Sequence, residues 1–321
     1  MISARVNVRL RLSSKVVQRR VSSDVTCAVA VSVPDELQSA VRHVKRRVRY
    51  DVCASCMAVP LLFLYKAVTR EVSAAQSSSE ALDFTIALRV KAMCGRFNLI
   101  DSSEVRSLCD ALGVEIPDSC ISQDIAPGSR IAIIHENLVG RDKHRKVSEA
   151  TWWLLLERKT LKPNYRYASF NSRSDKLHKL RGISYVPYRE SRCIIPASAF
   201  VENLGDKKIY HMIELAGSAI AFGGLYMEYR DRQTGERVHS ASIITLPPLS
   251  PQWDKIHPKS MPLILDLKDD HLISKWLDLD FKDVGQFARL LEPRVHSAMR
   301  ITRIGKPNLW NPIEDAFTIA S

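Results

Sequence analysis

Between residues 130 and 246 the chain repeats one texture, a short run of β-branched and aromatic residues followed by a turn. The runs are RIAIIH (130–135), TWWLLLE (151–157), SRCIIP (191–196), KIYHMIEL (208–215), AIAFGGLYMEY (219–229) and HSASIITL (239–246). Each is short and rich in residues that fit a pleated, buried surface. The pieces LGDKK (204–208) and RDRQTGER (230–237) are turn chemistry, which favours antiparallel neighbours. A helical period shows in DSSEVRSLCDALGVEI (101–116), DDHLISKWLDL (269–279) and KDVGQFARLLE (282–292). In the first of these, Asp101 with Glu104 reads as a capping box, and Val105, Leu108, Cys109 and Leu112 share a face. HSAMRITRI (296–304) returns to strand character. The expected fold is strand-rich α+β, mainly antiparallel, with helices at the periphery.

The texture of the chain changes at Met93. Residues 1–92 do not read as a domain: VNVRLRLSSKVVQRRVSS alternates like a strand without a clear hairpin partner, ELQSAVRHVKRRVRY reads as a basic helix, and SAAQSSSEA as a linker. They carry 15 Lys+Arg against 7 Asp+Glu, whereas the rest carries 32 against 28. Most of the overall charge of +12 therefore lies before Met93, and the pI says little about the body of the protein. The expectation is a chain whose working start is Met93, with a domain over 93–315 and a non-native or disordered extension over 1–92. A basic nucleic-acid arm is the alternative reading of that extension.

Seven irregularly spaced cysteines do not make a secreted disulfide scaffold, so the expected compartment is the reducing cytoplasm, beside the nucleoid. Cys53 and Cys56 form a lone C-x-x-C with no second pair, so no metal is expected. The uncharged run Val52–Tyr65 is 14 residues, short of the roughly 20 that a membrane span needs. No membrane segment and no cofactor are expected, and nothing suggests an obligate oligomer.

The chemistry starts at RVKAMCGRFNLID (89–101). If Met93 is the start and is removed, Cys94 carries a free α-amine and a thiol on adjacent carbons. An α-amine with a pKa near 8 is roughly a tenth neutral at pH 7, whereas a lysine is neutral only about 0.04% of the time. Such an aminothiol condenses with an aldehyde to a Schiff base, which the thiol closes to a thiazolidine. With residues 1–92 attached the amine is an amide, and Cys94 is then an ordinary buried cysteine.

Four more stretches stand out. YASFNSRSDKLHKLRG (167–182) holds Asn171, Arg173 and Lys176; its cations are either a solvated face or phosphate ligands. RCIIPASAFVEN (192–203) puts Glu202 after a strongly apolar run, either desolvated and suited to acid–base work or at an edge facing water. DKIHPKSMPLIL (254–265) puts His257 before a Pro-flanked turn. Of Trp152 and Trp153, one suits the core and the other a platform for stacking bases.

Taken in order, these stretches resemble the SRAP (SOS response-associated peptidase) family. Met93–Phe97 matches its opening Met-Cys-Gly-Arg-Phe, and DIAPGS matches Asn-Ile-Ala-Pro with Asp124 in the Asn place. Trp153-Leu154-Leu155 stands for Trp-Gly-Leu, and Asn171–Asp175 for Asn-Ala-Arg-x-Glu. Arg192 to Glu202-Asn203 stands for Arg-Cys-Leu-Ile-Pro-Ala…Phe-x-Glu-Trp, and His257 precedes Ser260-Met261-Pro262 in place of Arg-Met-Pro. The resemblance spans about residues 93–309. Leu154, Asn203 and Ser260 depart from it and put local DNA contacts in question, while the Cys, Asn, Glu and His positions are kept.

The resemblance implies antiparallel sheets with a barrel-like core. It implies a partner, single-stranded DNA containing abasic sites, and a covalent crosslink through the N-terminal cysteine. By position, Cys94 would be the nucleophile, Asn171 would orient it, Glu202 would assist sugar-ring opening, and His257 would share proton transfer and crosslink reversal. Arg96 and Arg173 would hold phosphates, with Lys176 and Trp153 as further DNA contacts. The peptidase label implies that the residues before Cys94 are removed, self-cleavage being one route. Two other readings are a non-catalytic single-strand-binding module with Cys94 blocked, and an N-terminal-nucleophile amidohydrolase, which also opens Met-Cys-Gly.

Overall fold

The computed structural model describes residues 8–10, 29–31, 95–205 and 209–320. The chain divides into two compact units, Met1–Ile86 and Ala87–Ser321. In the first, β1 (Val8–Leu10) pairs antiparallel with β2 (Val29–Val31), Val8 opposite Val31. The alternating run thus has a strand partner, too far along the sequence for a hairpin signal. The expected basic helix, Cys53, Cys56 and Cys94 lie outside the described residues.

The second unit runs β3 (Arg96–Leu99), α1 (Ser103–Leu112), β4 (Ser122–Ile125), β5 (Arg130–Val139), β6 (Asp142–Trp152) and β7 (Asn171–Arg173). Then come α2 (Tyr185–Glu190), β8 (Arg192–Ala197), β9 (Ala199–Asn203), β10 (Tyr210–Leu215), β11 (Ile220–Arg230), β12 (Arg237–Leu246) and β13 (Met261–Pro262). α3 (Asp270–Leu277), a 3-10 helix (Val284–Leu291), β14 (Met299–Ile304) and β15 (Phe317–Ile319) complete it.

Five strands close a barrel in the order β11-β8-β5-β6-β12, with β12 returning to β11. An odd ring cannot alternate direction all the way round. One joint must be parallel, and it is β6 to β12, with Ala150 opposite His239. Strands β15-β14-β10-β9-β3-β4 form a second, antiparallel sheet. β8 and β9 are separated only by Ser198, so one stretch of chain leaves the barrel and enters that sheet. Ser198 N–H donates to Asn98 O (2.9 Å) and Ala199 N–H to Asn98 Oδ1 (2.9 Å), which fixes the corner.

The core lies between the two sheets. Phe97 and Phe200 face each other across β3 and β9 and meet Trp152 (4.8 Å) and Phe222 (5.5 Å) from the barrel. Gly223 is required here, because a Cβ would stand 2.5 Å from Leu263 Cδ2. Arg192 is 3% exposed, yet each donor finds a carbonyl: Nε meets Trp276, Nη1 Tyr188 and Arg189, and Nη2 Asp278 and Phe281, at 2.7–3.0 Å. Five satisfied donors make its burial tolerable and tie α2 and the end of α3 to β8.

Several local expectations change. The cap of α1 is Ser102, whose hydroxyl accepts from Val105 N–H (3.3 Å), while Asp101 pairs with Arg106. Residues 284–291 are 3-10 rather than α: Val284, Phe287 and Leu290 are buried at a spacing of three, the period of that helix. TWWLLLE is strand only to Trp152; beyond it Leu154 N–H bonds Ser169 O and Leu156 N–H bonds Tyr229 Oη, so irregular partners replace the ladder. β6 is almost wholly polar, and the expected strands contained only its last two residues. Among the described residues no helix is long and apolar enough to cross a membrane.

Candidate functional site

Glu202 sits on β9, where it is paired with His211 and follows Val201, the partner of Arg96 at the start of β3. It is 1% exposed, so the desolvated reading of this carboxyl holds, not the edge facing water. His257 is 1% exposed and its Nδ1 lies 3.7 Å from Glu202 Oε2. Two residues 55 positions apart in the sequence are thus one buried carboxyl–imidazole pair.

The loop carrying His257 is closed on itself by Trp253. Its carbonyl accepts the His257 N–H (2.9 Å) and its indole N–H donates to Ser260 O (2.9 Å). The ring is fully buried and stacks on Phe200 at 6.4 Å. Nothing in the sequence pattern singled out Trp253, because a lone Trp in a Pro-rich loop looks like filler.

His257 Nδ1 is 2.5 Å from Asn203 O. A carbonyl only accepts, so Nδ1 carries the proton, and Nε2 holds the lone pair in the neutral ring. Burial pushes the His257 pKa below its ordinary value; the bond to Asn203 opposes this and the Lys259 charge adds to it. At neutral pH Nε2 is therefore an unprotonated base. Nε2, Thr245 Oγ1 and Ser260 Oγ are buried without a hydrogen-bond partner among the described residues. Thr245 pairs with Arg173 on one side and Pro262 on the other, so it stands between the Asn171 strand and the His257 loop. Sequence reasoning missed Thr245 because it lies inside the apolar run IITL.

Asn171 starts β7, opposite Ile243 on the edge of β12 that β6 has just left. The strand is held by Ser172, whose hydroxyl bonds Ser242 (2.6 Å) and Ser184 (2.7 Å). Arg173 is exposed and forms a two-pronged pair with Asp175 (2.9 Å each), which Lys176 approaches at 3.7 Å. Arg96 pairs with Asp124. All three expected phosphate-binding cations thus have acidic partners, held by surface pairs that cost little to exchange. Trp153 does not fit a stacking platform. It is 4% exposed, packed on Phe170, with its N–H on Asn164 O (3.2 Å). The ring facing solvent there is Tyr165, edge-on to Trp153 and 66% exposed. No cluster of three or more metal-ligating side chains occurs among the described residues.

Fold and site define a strand-rich α+β barrel protein with a buried carboxyl–imidazole pair beside β3, the first strand of its second sheet. The chain belongs to the SRAP family: the model described as SOS response associated peptidase matches residues 93–307. Membership associates the chain with DNA, the SOS response and a peptidase-like class of activity.

Among solved structures, a protein from Bordetella bronchiseptica is 21% identical, with TM-score 0.50 over 66% of this chain and 99% of its own. One from Bacteroides thetaiotaomicron is 22% identical (TM-score 0.47, 66% and 92%). A phage-related protein from Bordetella bronchiseptica is 16% identical (0.47, 69% and 100%). At such identities the first likeness is one of fold. No curated protein matches the chain.

Proposed function

We propose that the chain, once shortened to begin at Cys94, binds single-stranded DNA at abasic sites and crosslinks to the lesion. The observation that carries this reading is the buried Glu202–His257 pair next to the start of β3. Cys94 precedes Arg96 by two residues, at most about 7 Å of chain, and Arg96 is paired beside Glu202.

An abasic sugar in its open form exposes an aldehyde at C1′. Glu202 delivers a proton to the ring oxygen as the ring opens, and the C1′ hydroxyl passes its own proton to His257 Nε2. The neutral α-amine of Cys94 attacks C1′, and the carbinolamine loses water to give an imine, with the pair supplying the proton that departs with the hydroxyl. The thiolate adds to the imine carbon and its nitrogen takes up a proton, closing a thiazolidine; aldehyde plus aminothiol yields ring plus one water. His257 Nε2 accepts and returns protons. Asn171 orients the reacting groups, and Arg96, Arg173 and Lys176 exchange their carboxylate partners for phosphates.

The test is a denaturing gel and intact mass of the chain beginning at Cys94, incubated with an oligonucleotide containing one abasic site. A covalent adduct short of one water is expected, and Cys94→Ala abolishes it. An unchanged mass, or the same adduct from Cys94→Ala, would refute the mechanism. A chain that keeps residues 1–92 should bind the strand without forming the ring.

A further inference from the structure

We propose that Asp124, held in place by Trp310, is a resident competitor for phosphate at Arg96 and so sets the strength and salt dependence of DNA binding. This rests on the reading of Arg96 as a phosphate ligand.

One carboxylate oxygen of Asp124, Oδ2, takes the Arg96 Nη1 donor. The other, Oδ1, accepts from the indole N–H of Trp310 at 3.2 Å. The carboxylate is therefore fixed from both ends, and rotating it away from Arg96 means giving up the indole.

Trp310 comes from far away. It follows β14, and β14 and β4 are four positions apart in the sheet, about 19 Å if the sheet were flat. It also lies beyond residue 307, where the family match ends. The loop that brings it is built rather than loose. Gly305 N–H bonds Asn311 O (3.1 Å), Ile304 bridges to Pro312, Ile313 N–H bonds Arg303 O (3.0 Å), and Arg303 pairs with Glu314. Trp310 itself has φ 55°, a left-handed conformation unfavourable for any residue with a Cβ. A strained backbone that persists points to a role for what it presents, here the indole on Asp124.

The guanidinium fork suits a carboxylate and a phosphate equally, so the two compete for one place. The side chains of Arg96 and Asp124 are 25% and 35% exposed, which keeps the pair exchangeable. The phosphate displaces Asp124 or meets its negative charge, and both effects weaken binding.

The test is fluorescence anisotropy of the full chain with an unmodified oligothymidylate across a salt series, which reads non-covalent binding alone. Asp124→Asn should bind roughly two- to fivefold tighter, the worth of an exposed pair. Its plot of log K against log salt should steepen by about 0.7, one more phosphate on a single strand. Trp310→Phe, which keeps the ring and loses the donor, should move the same way by less. In an Arg96→Ala background, Asp124→Asn should lose most of its effect. If Arg96→Ala weakens binding but Asp124→Asn changes neither affinity nor slope, the clasp is wrong and the phosphate reading stands. If Asp124→Asn tightens binding equally without Arg96, the effect is general repulsion and the clasp is again wrong. If Arg96→Ala has no effect, the phosphate reading of Arg96 fails and takes the clasp with it.

Discussion

Glu202 Oε2 lies 3.7 Å from Nδ1 of His257, with each side chain 1% exposed and Nδ1 closer still to the Asn203 carbonyl. The imidazole thus gives its one proton to the backbone and keeps Nε2 open, while the carboxyl lies against the ring. Glu202→Gln keeps the shape and removes the ionisable carboxyl. It should slow crosslinking by about a hundredfold or more, the usual worth of positioned acid–base catalysis, while non-covalent DNA binding stays close to the parent's. Single-turnover gels alongside anisotropy separate the two quantities; an unchanged crosslinking rate removes Glu202 from the mechanism.

The pH profile should separate His257 from the amine. Burial depresses the His257 pKa, so Nε2 is already unprotonated above about pH 6.5 and loses that form only as the pH falls further. The amine becomes neutral as pH rises through about 8. The crosslinking rate of the chain beginning at Cys94 should therefore climb between pH 6.5 and 8.5 with the amine. His257→Gln should lower the whole curve without moving that climb. A rise that disappears in His257→Gln would mean that the imidazole, not the amine, titrates there.

Arg173 is more than half exposed and its partner Asp175 is two residues away, so little holds it from a phosphate. Arg173→Ala should weaken single-strand binding severalfold and reduce the salt slope by about 0.7. The melting temperature should stay put, because exposed pairs contribute little to stability. No change in affinity or slope would leave Arg173 as a solvated surface charge.

Much of the barrel was legible because β8, β11 and β12 are buried on both faces and read as apolar runs. β6 was not, since eight of its eleven residues are polar and its pairing comes from backbone bonds to β5, which leave no trace in composition. At the site, Glu202 and His257 were legible as single residues. Their contact was not, because it depends on the corner at Ser198 and on Trp253 closing a loop. Trp153 and Trp152 were equivalent by sequence, and only packing shows that both are core while Tyr165 is the exposed ring.

A buried histidine of the barrel supplies a stability test independent of DNA. His135 on β5 is 5% exposed, donates Nδ1–H to Glu136 O (2.9 Å) and accepts at Nε2 from Ser148 (3.0 Å). Burial pushes its pKa down to about 4, with the Glu136 carbonyl opposing and His239 and Lys146 adding to the shift. The unfolded chain takes up this proton near pH 6.5, the folded chain only near 4, so the unfolded state binds more protons between them. Stability from this group is thus full above about pH 6.5 and lost as pH falls toward 4, by about 3 kcal/mol at the limit. His239, His211 and His296 are depressed in the same direction and reinforce the trend. Urea midpoints at pH 7 and 4.5 should show the loss. His135→Gln should begin less stable at pH 7, because Ser148 loses its ring partner and Tyr226, 4.8 Å away between centroids, loses a packed ring, but should fall less steeply toward acid. An acid limb as steep in His135→Gln as in the parent would assign the loss to other groups.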